Sequence, residues 1–380
     1  MSATKLLKFV DKYIFVVIII LCSIFTRKTK KFDNKKKNLN IAFVKVWAMG
    51  DAINTLPMIR CIKEKYPDCN ITIITKESLI PVYNEKFIDK INIISFKNMF
   101  KGIFSLKKYD LVFDLEPYLN SSALLAYYLG ETRIGFANQL RSKTYNYTIP
   151  FQKDKHIVRM YMDMLKFIGT NKSVDSLVPL AYSPEAKRNS DKILRENNIK
   201  KNDVLIGFCA GVGEMVKERE WGKENYRRLA EKIIEQKKIS KKDKKKNIKI
   251  ILIGTNEDRE INYYIKNNNQ NIIDLSGQMN LETLFAFMKN IKIFVSNDTG
   301  PMHIAAAQGC KTIGLFGPNT PSIWGPYGKK NISIFHPKKG CPFLDNTKHE
   351  LIPKKLTIEQ KTCMDAIGVD EVYRAVKMML

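Results

Sequence analysis

The sequence contains few of the residue patterns that bind metals or form cross-links. Its 380 residues include seven cysteines and four histidines, with no C-x-x-C pair and no H-x-x-H pair. Structural zinc sites usually take their ligands from such closely spaced pairs. We therefore predict no bound metal. The scattered, odd-numbered cysteines favour a reducing compartment such as the cytoplasm.

Acidic residues are scarce relative to basic ones. Lys and Arg total 64 against 38 Asp and Glu, which gives a formal net charge of +26. This excess favours an anionic partner such as a membrane surface, a phosphate-bearing substrate or a nucleic acid. No recognisable nucleic-acid-binding motif accompanies the charge, so we expect no nucleic acid partner. Much of the excess is local: residues 27–37 hold seven basic residues, and residues 237–249 form a lysine block that is also typical of a solvated loop.

The sequence also lacks an apolar run of the usual membrane-spanning length. The longest run, at residues 13–25, reads YIFVVIIILCSIF. As a helix it reaches about 20 Å, short of a hydrocarbon core roughly 30 Å thick. It favours a membrane anchor that lies in the interface or inserts shallowly; a true span and a cleaved signal peptide are the alternatives. The basic segment that follows would contact anionic headgroups.

Short apolar strands alternate with helices along the rest of the chain. One series begins with a strand at residues 41–46 and a helix at 51–65, and a second begins near residue 185. We predict an α/β protein with an N-terminal apolar helix and two Rossmann-like domains facing a cleft, where ligands bind at the carboxyl ends of the strands. The predicted parts are a membrane anchor (1–37), two domains (38–183 and 184–362) and a C-terminal helix (363–380).

The first candidate site lies in the segment VKVWAMGDAINTLP, residues 44–57. Asp51 follows the first predicted strand, a position suited to a general base that takes a proton from an acceptor hydroxyl. The ordinary alternative is an N-cap aspartate, and the helix dipole favours its ionised form. Gly50 permits either close approach of a ligand or a turn with positive φ. We place Lys45 and Gly50 near the acceptor or its phosphates.

The second candidate site is the segment SNDTGPMHIAAA, residues 296–307. An apolar strand ends there in a polar turn, and a helix of small residues begins, so that free backbone N–H groups point outward and favour an anion. The backbone of Thr299 and Gly300, the Thr299 hydroxyl and His303 are predicted to converge on a diphosphate. Asp298 would orient the turn. A buried structural histidine is the alternative for His303.

Two further segments supply candidate donor contacts. Lys217 and Arg219 both follow a glycine-containing turn, and either is suited to a diphosphate; a surface ion pair is the alternative. Glu257 or Asn256, just past a strand, is suited to ribose hydroxyls. Helix capping by Asn256 explains that segment equally well.

These motifs resemble the heptosyltransferase-like glycosyltransferases, glycosyltransferase family 9, over roughly residues 40–380. The resemblance is carried by VKVWAMGDAINTLPMIRCIKEKYPD (44–68) and FVSNDTGPMHIAAAQGCKTIGLFGPNTPSIWGPYG (294–328). It implies a glycosyltransferase of the B type, with an inverting, metal-independent transfer from a nucleotide-diphosphate sugar, by default ADP-heptose, to lipopolysaccharide or another lipid-linked glycan. Such an enzyme would work at the cytoplasmic face of the inner membrane.

The resemblance also implies roles for individual residues. Asp51 matches the catalytic aspartate, the acceptor would bind the first domain and the nucleotide sugar the second. The predicted donor-binding residues are Arg219, Glu257, Asp298, Thr299, Gly300 and His303. A non-catalytic, membrane-attached relative that binds sugar nucleotides is the alternative function.

Overall fold

Two compact units make up the protein in the computed structural model, which describes residues 9–26, 36, 38–94, 108–137, 139–235, 247–345 and 356–380. Among these, the residues up to 174 together with Asp345 form unit 1, and residues 175–344 and 356–380 form unit 2. Each unit is an α/β domain built on one six-stranded parallel sheet. The predicted α/β class with two parallel sheets is confirmed.

The sheet of unit 1 has the order β3-β2-β1-β4-β5-β6. Its strands are apolar and mostly buried, as expected where helices cover both faces of a parallel sheet. Strand β1 pairs with β2 on one side and β4 on the other, so the strand order reverses beside it. The strands are β1 (Asn40–Val44), β2 (Asn70–Thr75), β3 (Lys90–Ile93), β4 (Leu111–Asp114), β5 (Arg133–Phe136) and β6 (Tyr147–Ile149).

In the described part of unit 1 the α-helices are α1 (Phe15–Ile24), α2 (Met49–Lys65), α3 (Ile80–Tyr83), α4 (Asn120–Leu129) and α5 (Ile157–Met164). A π-helical segment, Val10–Ile14, precedes α1. Short 3-10 helices occur at Glu77–Leu79, Leu140–Thr144 and Leu165–Ile168. Helix α2 directly follows β1 and is buried along most of its length.

The N-terminal apolar helix is present but short. Helix α1 packs against α4 and the Leu140–Thr144 segment, with Ile19 fully buried. The Asp11 carboxylate accepts hydrogen bonds from the backbone N–H groups of Asn120 (3.0 Å) and Ser121 (2.8 Å), at the start of α4. Within the described ranges, no helix combines the length and apolar character needed to cross a membrane. The basic segment at 27–35 and residues 236–246 of the lysine block lie outside those ranges.

The sheet of unit 2 has the order β12-β11-β10-β7-β8-β9. Strand β7 pairs with β10 and β8, so the order reverses between β7 and β10. The strands are β7 (Val204–Cys209), β8 (Ile248–Leu252), β9 (Ile272–Asp274), β10 (Ile291–Asn297), β11 (Lys311–Phe316) and β12 (Ile332–Phe335). The short β9 was missing from the sequence-based prediction.

The helices of unit 2 include clear sequence signals at their starts. Helix α6 begins at Pro184, and the Ser183 side chain caps it by accepting a bond from the N–H of Ala186. The α-helices are α6 (Pro184–Glu196), α7 (Lys223–Glu235), α8 (Arg259–Lys266), α9 (Leu281–Met288), α10 (Gly300–Ala307), α11 (Pro321–Trp324), α12 (Ile358–Lys361) and α13 (Val369–Met379). Short 3-10 helices occur at Glu214–Arg219, Asn256–Asp258 and Cys363–Ala366.

Cys341 and Cys363 form a disulfide in unit 2. They are 22 residues apart in the sequence, a separation that matches no metal or redox motif. The distribution of cysteines therefore did not predict the pairing. A disulfide differs from the interpretation of the cysteines as unpaired thiols in a reducing compartment.

Candidate functional site

In unit 1 the candidate site is the turn between β1 and α2. Lys45 follows β1 directly and is fully buried. Ala48 has φ 62°, a left-handed conformation uncommon outside glycine, and α2 starts at the next residue. Asp51 lies in the first turn of α2, with 20% of its side chain exposed. Ala48 is the N-cap, so the alternative interpretation of Asp51 as an N-cap is wrong. Gly50 is buried in the same turn without a positive φ.

A buried carboxylate, Glu116, holds this turn together. Its Oε2 lies 3.0 Å from Lys45 Nζ, which also lies 3.5 Å from Asp51 Oδ2. Its Oε1 accepts hydrogen bonds from the backbone N–H groups of Val46 (2.7 Å) and Trp47 (2.8 Å). Burial lowers the pKa of Lys45, but the charges of Glu116 and Asp51 outweigh burial and raise it above its ordinary value. Lys45 is therefore a charged group shared between two carboxylates.

Sequence reasoning missed Glu116. It comes two residues after β4, in the segment LVFDLE, and β4 is the neighbour of β1 in the sheet. Because parallel strands end at the same edge of a sheet, residues after β1 and after β4 meet. The signal was present, but it required the strand order.

Three buried tyrosines surround the same carboxylates. Burial raises the pKa values of Tyr83, Tyr118 and Tyr161, and the negative charges of Glu116 and Asp51 raise them further. Each phenol therefore stays protonated at neutral pH. The charged group recorded beside Asp51 is the ammonium of Lys45.

In unit 2 the structure brings Arg219 to the turn that follows β10. Arg219 Nη1 lies 3.1 Å from Asp298 Oδ2 and donates to the Asp298 carbonyl at 3.1 Å. Asn319 Nδ2 donates to the same Oδ2 at 2.8 Å. Asp298 is thus buried and held from two sides, and its role in orienting the turn stays a prediction.

Lys217 has a different environment from Arg219. Its side chain is 62% exposed and pairs with the more exposed Glu214 at 3.1 Å. The Arg219 side chain is only 16% exposed. The structure therefore assigns the surface ion pair to Lys217 and the contact with the Asp298 turn to Arg219.

Asn297 connects the two loops at the reversal point of this sheet. Its side chain donates to the Ala210 carbonyl (2.8 Å), just past β7, and accepts from the N–H of Trp221 and the hydroxyl of Tyr226, both at 3.3 Å. Trp221 Nε1 donates to the carbonyl of Ile367 at 2.9 Å. These bonds fix the loop that carries Arg219 beside the turn that carries Asp298.

Thr299 and His303 both lie at the start of α10. Thr299 is the N-cap, and its hydroxyl lies 3.2 Å from Ser296 Oγ and 3.3 Å from the Asn297 carbonyl, within the turn itself. His303 is buried. Burial lowers the pKa of His303 to about 4, although Asp298 opposes the shift, and the charge of Arg219 adds to it. At neutral pH His303 is therefore a neutral imidazole rather than a cation.

This burial predicts that acid destabilises unit 2. Unfolded, His303 binds a proton near pH 6.5; folded, it does so only near pH 4. The folded pKa is depressed, so the stabilisation present above pH 6.5 is lost as the pH falls toward 4, by at most roughly 3 kcal/mol. Urea unfolding at pH 7 and pH 4.5 measures the loss, which should shrink in His303→Gln. An unchanged loss in His303→Gln would contradict the assignment.

Glu257 lies at the same edge of the sheet, in the 3-10 helix after β8, and is exposed. In the part of the chain that the structure describes, it forms no ion pair with Arg219. A capping box begins this helix: the Thr255 side chain accepts a hydrogen bond from the backbone N–H of Asp258, and the Asp258 side chain accepts one from the backbone N–H of Thr255. Thr255 is the N-cap, so the alternative role of Asn256 as the cap is wrong. The Asp258 carboxylate fills the space beside Gly211, where an added Cβ would lie 1.8 Å from Oδ1.

Each unit therefore collects polar side chains at the reversal point of a parallel sheet, the place where open α/β sheets bind their ligands. Among the residues placed by the structure, no group of three or more His, Cys, Asp or Glu side chains is arranged to hold a metal ion. Fold and side chains together define a two-unit α/β protein with one candidate ligand site in each unit.

The chain belongs to glycosyltransferase family 9. The model of this family, described as "Glycosyltransferase family 9 (heptosyltransferase)", matches residues 101–350. The resemblance inferred from the motifs is confirmed, and the chain is a glycosyltransferase.

Similar sequences include named heptosyltransferases. The lipopolysaccharide core heptosyltransferase OpsX of Haemophilus influenzae is 24% identical over 357 residues, covering 90% of this chain and 96% of that protein. Lipooligosaccharide heptosyltransferase 2 of Haemophilus ducreyi is 25% identical over 317 residues, covering 75% and 85%.

Similar solved structures share the fold. A glycosyltransferase family 9 protein from Veillonella parvula superposes with a TM-score of 0.72 at 21% identity, covering 93% of this chain and 99% of that one. The ADP-heptose lps heptosyltransferase II of E. coli gives a TM-score of 0.68 at 19% identity, covering 90% and 98%.

Proposed function

We propose that this protein transfers heptose from ADP-heptose to the glycan of a lipid-linked acceptor such as lipopolysaccharide, with inversion at the anomeric carbon and without a metal. Family membership and the names of similar proteins support the donor and the acceptor. The observation that carries the reaction is the partly exposed carboxylate of Asp51, held by the buried Lys45 where β1 ends.

In this proposal Asp51 is the general base. The acceptor hydroxyl attacks the anomeric carbon from the face opposite the diphosphate, and Asp51 takes its proton as the new glycosidic bond forms. The bond to the diphosphate breaks in the same displacement, so the configuration inverts. Glu116 is buried and cannot reach an acceptor, which leaves the proton transfer to Asp51.

The donor occupies unit 2 in this proposal. Negative charge grows on the departing diphosphate, and Arg219 together with the backbone N–H groups of Thr299 and Gly300, at the start of α10, stabilises it. His303, as a neutral imidazole, supplies a hydrogen-bonding group there without a charge. Glu257 or Asn256 contacts the ribose. The reaction requires Asp51 and the Asp298–His303 turn to act on one substrate pair.

A donor screen tests the proposal. The purified protein is given ADP-heptose or another nucleotide sugar, with and without a core glycan acceptor, and released nucleotide and product mass are measured. We expect ADP release that depends on the acceptor, and an acceptor that gains one heptose. Turnover confined to another nucleotide sugar would overturn the choice of donor, and no turnover with any would overturn the proposed function.

We also propose that α1 attaches the protein to the cytoplasmic face of the inner membrane. Ile19 packs in the interior of unit 1, and Asp11 is hydrogen-bonded to it. By contrast, Val17, Leu21 and Ile24 are 57%, 55% and 71% exposed. At spacings of four and three residues these three share one helix face. The basic residues at 27–37 of the sequence are suited to the adjoining headgroups.

Charged substitutions on this face test the attachment. The triple variant Val17→Glu, Leu21→Glu, Ile24→Glu should bind anionic phospholipid vesicles about tenfold more weakly or worse, because it removes the apolar area that enters the lipid. Co-sedimentation measures binding, and activity on a soluble acceptor should persist. The control is Met378→Glu, which places a glutamate at an exposed apolar side chain of unit 2 and is compared with the single variant Ile24→Glu. Undiminished sedimentation of the triple variant would contradict the attachment.

A further inference from the structure

The proposed reaction gives no role to Glu116, although this buried carboxylate is fully bonded. Both carboxylate oxygens have partners: Oε1 the backbone N–H groups of Val46 and Trp47, and Oε2 the ammonium of Lys45. Its own N–H donates to Asp114 Oδ1 at 3.1 Å. The other oxygen of Asp114 is bonded to Arg141 and Tyr145. Glu116 is therefore rigidly placed.

The three groups that Glu116 binds belong to consecutive residues, 45–47. These residues lie between the end of β1 and Ala48, whose positive φ turns the chain into α2. The first turn of α2 carries Asp51. Glu116 thus fixes the segment from which Asp51 is presented.

Lys45 interacts electrostatically with both carboxylates. Its ammonium is nearer to Glu116 (3.0 Å) than to Asp51 (3.5 Å). An ammonium paired with Asp51 alone would stabilise the ionised carboxylate and make it a weaker base. Sharing the ammonium with Glu116 reduces that effect.

We propose that Glu116 is a positioning residue that keeps Asp51 basic enough for proton transfer, by holding Lys45 and the 45–47 segment. This inference rests on the proposed role of Asp51 as the general base. Glu116 itself is buried and contacts neither substrate.

Asp114 and Arg141 also act on Glu116, but they form a buried ion pair of their own at 2.8 Å. The remaining titratable groups near Asp51 and Glu116 do not take the place of Lys45. Tyr83 of α3, Tyr118 after β4 and Tyr161 of α5 are phenols that stay protonated. Lys76, after β2, lies 4.3 Å from the ring centroid of Trp47 and feels the charge of Glu116, but burial lowers its pKa. It is exposed in part, and solvent screens it more than it screens Lys45.

A double-mutant cycle of Lys45 and Glu116 tests the inference. Glu116→Gln keeps the size and an oxygen for the two N–H groups but removes the charge, so Lys45 acts on Asp51 alone. We expect kcat to fall about tenfold and the acid limb of its pH profile to move down by about one pH unit, with little change in acceptor KM. Lys45→Met should move the acid limb the other way. The double variant Lys45→Met, Glu116→Gln should return the limb toward that of the wild type.

A purely structural role gives a different pattern. Glu116→Gln would then lower kcat without moving the acid limb, and the double variant would be worse than either single variant; this result would overturn the inference. Glu64→Gln is the control. Glu64 lies at the exposed end of α2, the helix that carries Asp51, and this variant should leave the pH profile unchanged.

A spectroscopic measurement separates this inference from the proposed function. The ¹³C-carboxyl NMR signal that disappears in Asp51→Asn reports the titration of Asp51 without any turnover. We expect it to titrate at lower pH in Glu116→Gln than in the wild type. An identical titration in both would refute the electrostatic step even in an active enzyme. A shifted titration in a protein without transferase activity would refute the proposed function alone.

Discussion

Asp51→Asn is expected to lower kcat for sugar transfer by ~10²-fold or more, with the affinity for the nucleotide sugar unchanged. Asparagine keeps the size of the side chain and an oxygen toward Lys45, but it cannot accept the proton of the acceptor hydroxyl. Steady-state kinetics measure kcat, and calorimetry measures the dissociation constant of the donor. A loss in kcat without a loss in binding is the signature of a group that acts in the transition state.

Asp89→Asn is the matched control for this prediction. Asp89 is a partly exposed carboxylate of the same unit, and its partner is Lys63 rather than Lys45. Its substitution should leave kcat near that of the wild type. Normal transfer by purified Asp51→Asn would show that another group removes the proton.

Arg219→Met is expected to lower kcat/KM for the donor by ~10²–10³-fold, because it removes a cation from the site where charge develops. The guanidinium is bound to the Asp298 turn through Nη1, and its buried Nε has no hydrogen-bond partner among the residues that the structure places. Initial rates over a range of donor concentrations measure the effect.

Lys217→Met distinguishes Arg219 from its neighbour. Lys217 lies two residues earlier and is paired with Glu214 at the surface, where ion pairs contribute little. We expect nearly wild-type kinetics for this variant. A large loss in Lys217→Met together with normal kinetics in Arg219→Met would reverse the assignment.

The sheets were predictable because each parallel strand is a short apolar run. Strand β1, for instance, has four of its five residues buried, and the hydrophobic effect fixes such a run in the interior whatever its neighbours are. The position of Asp51 after β1 followed from the same pattern. Its place in the first turn of α2, rather than at the N-cap, did not, because it depends on the positive φ of Ala48.

The groups that tune each site were not predictable from local sequence. Glu116 and Lys45 are 71 residues apart and meet only because β4 pairs with β1. Lys217 and Arg219 are equivalent by residue type, and it is burial beside Asp298 that separates them. The neutral state of His303 likewise results from burial, which residue spacing does not reveal.

The anomeric configuration of the product made from ADP-heptose, determined by NMR, tests the central claim most directly. We predict that the acceptor gains one heptose whose configuration is opposite to that of the donor, because a base-assisted displacement at one carbon inverts it. A product with the donor's configuration, or an acceptor that gains no sugar, would contradict the account.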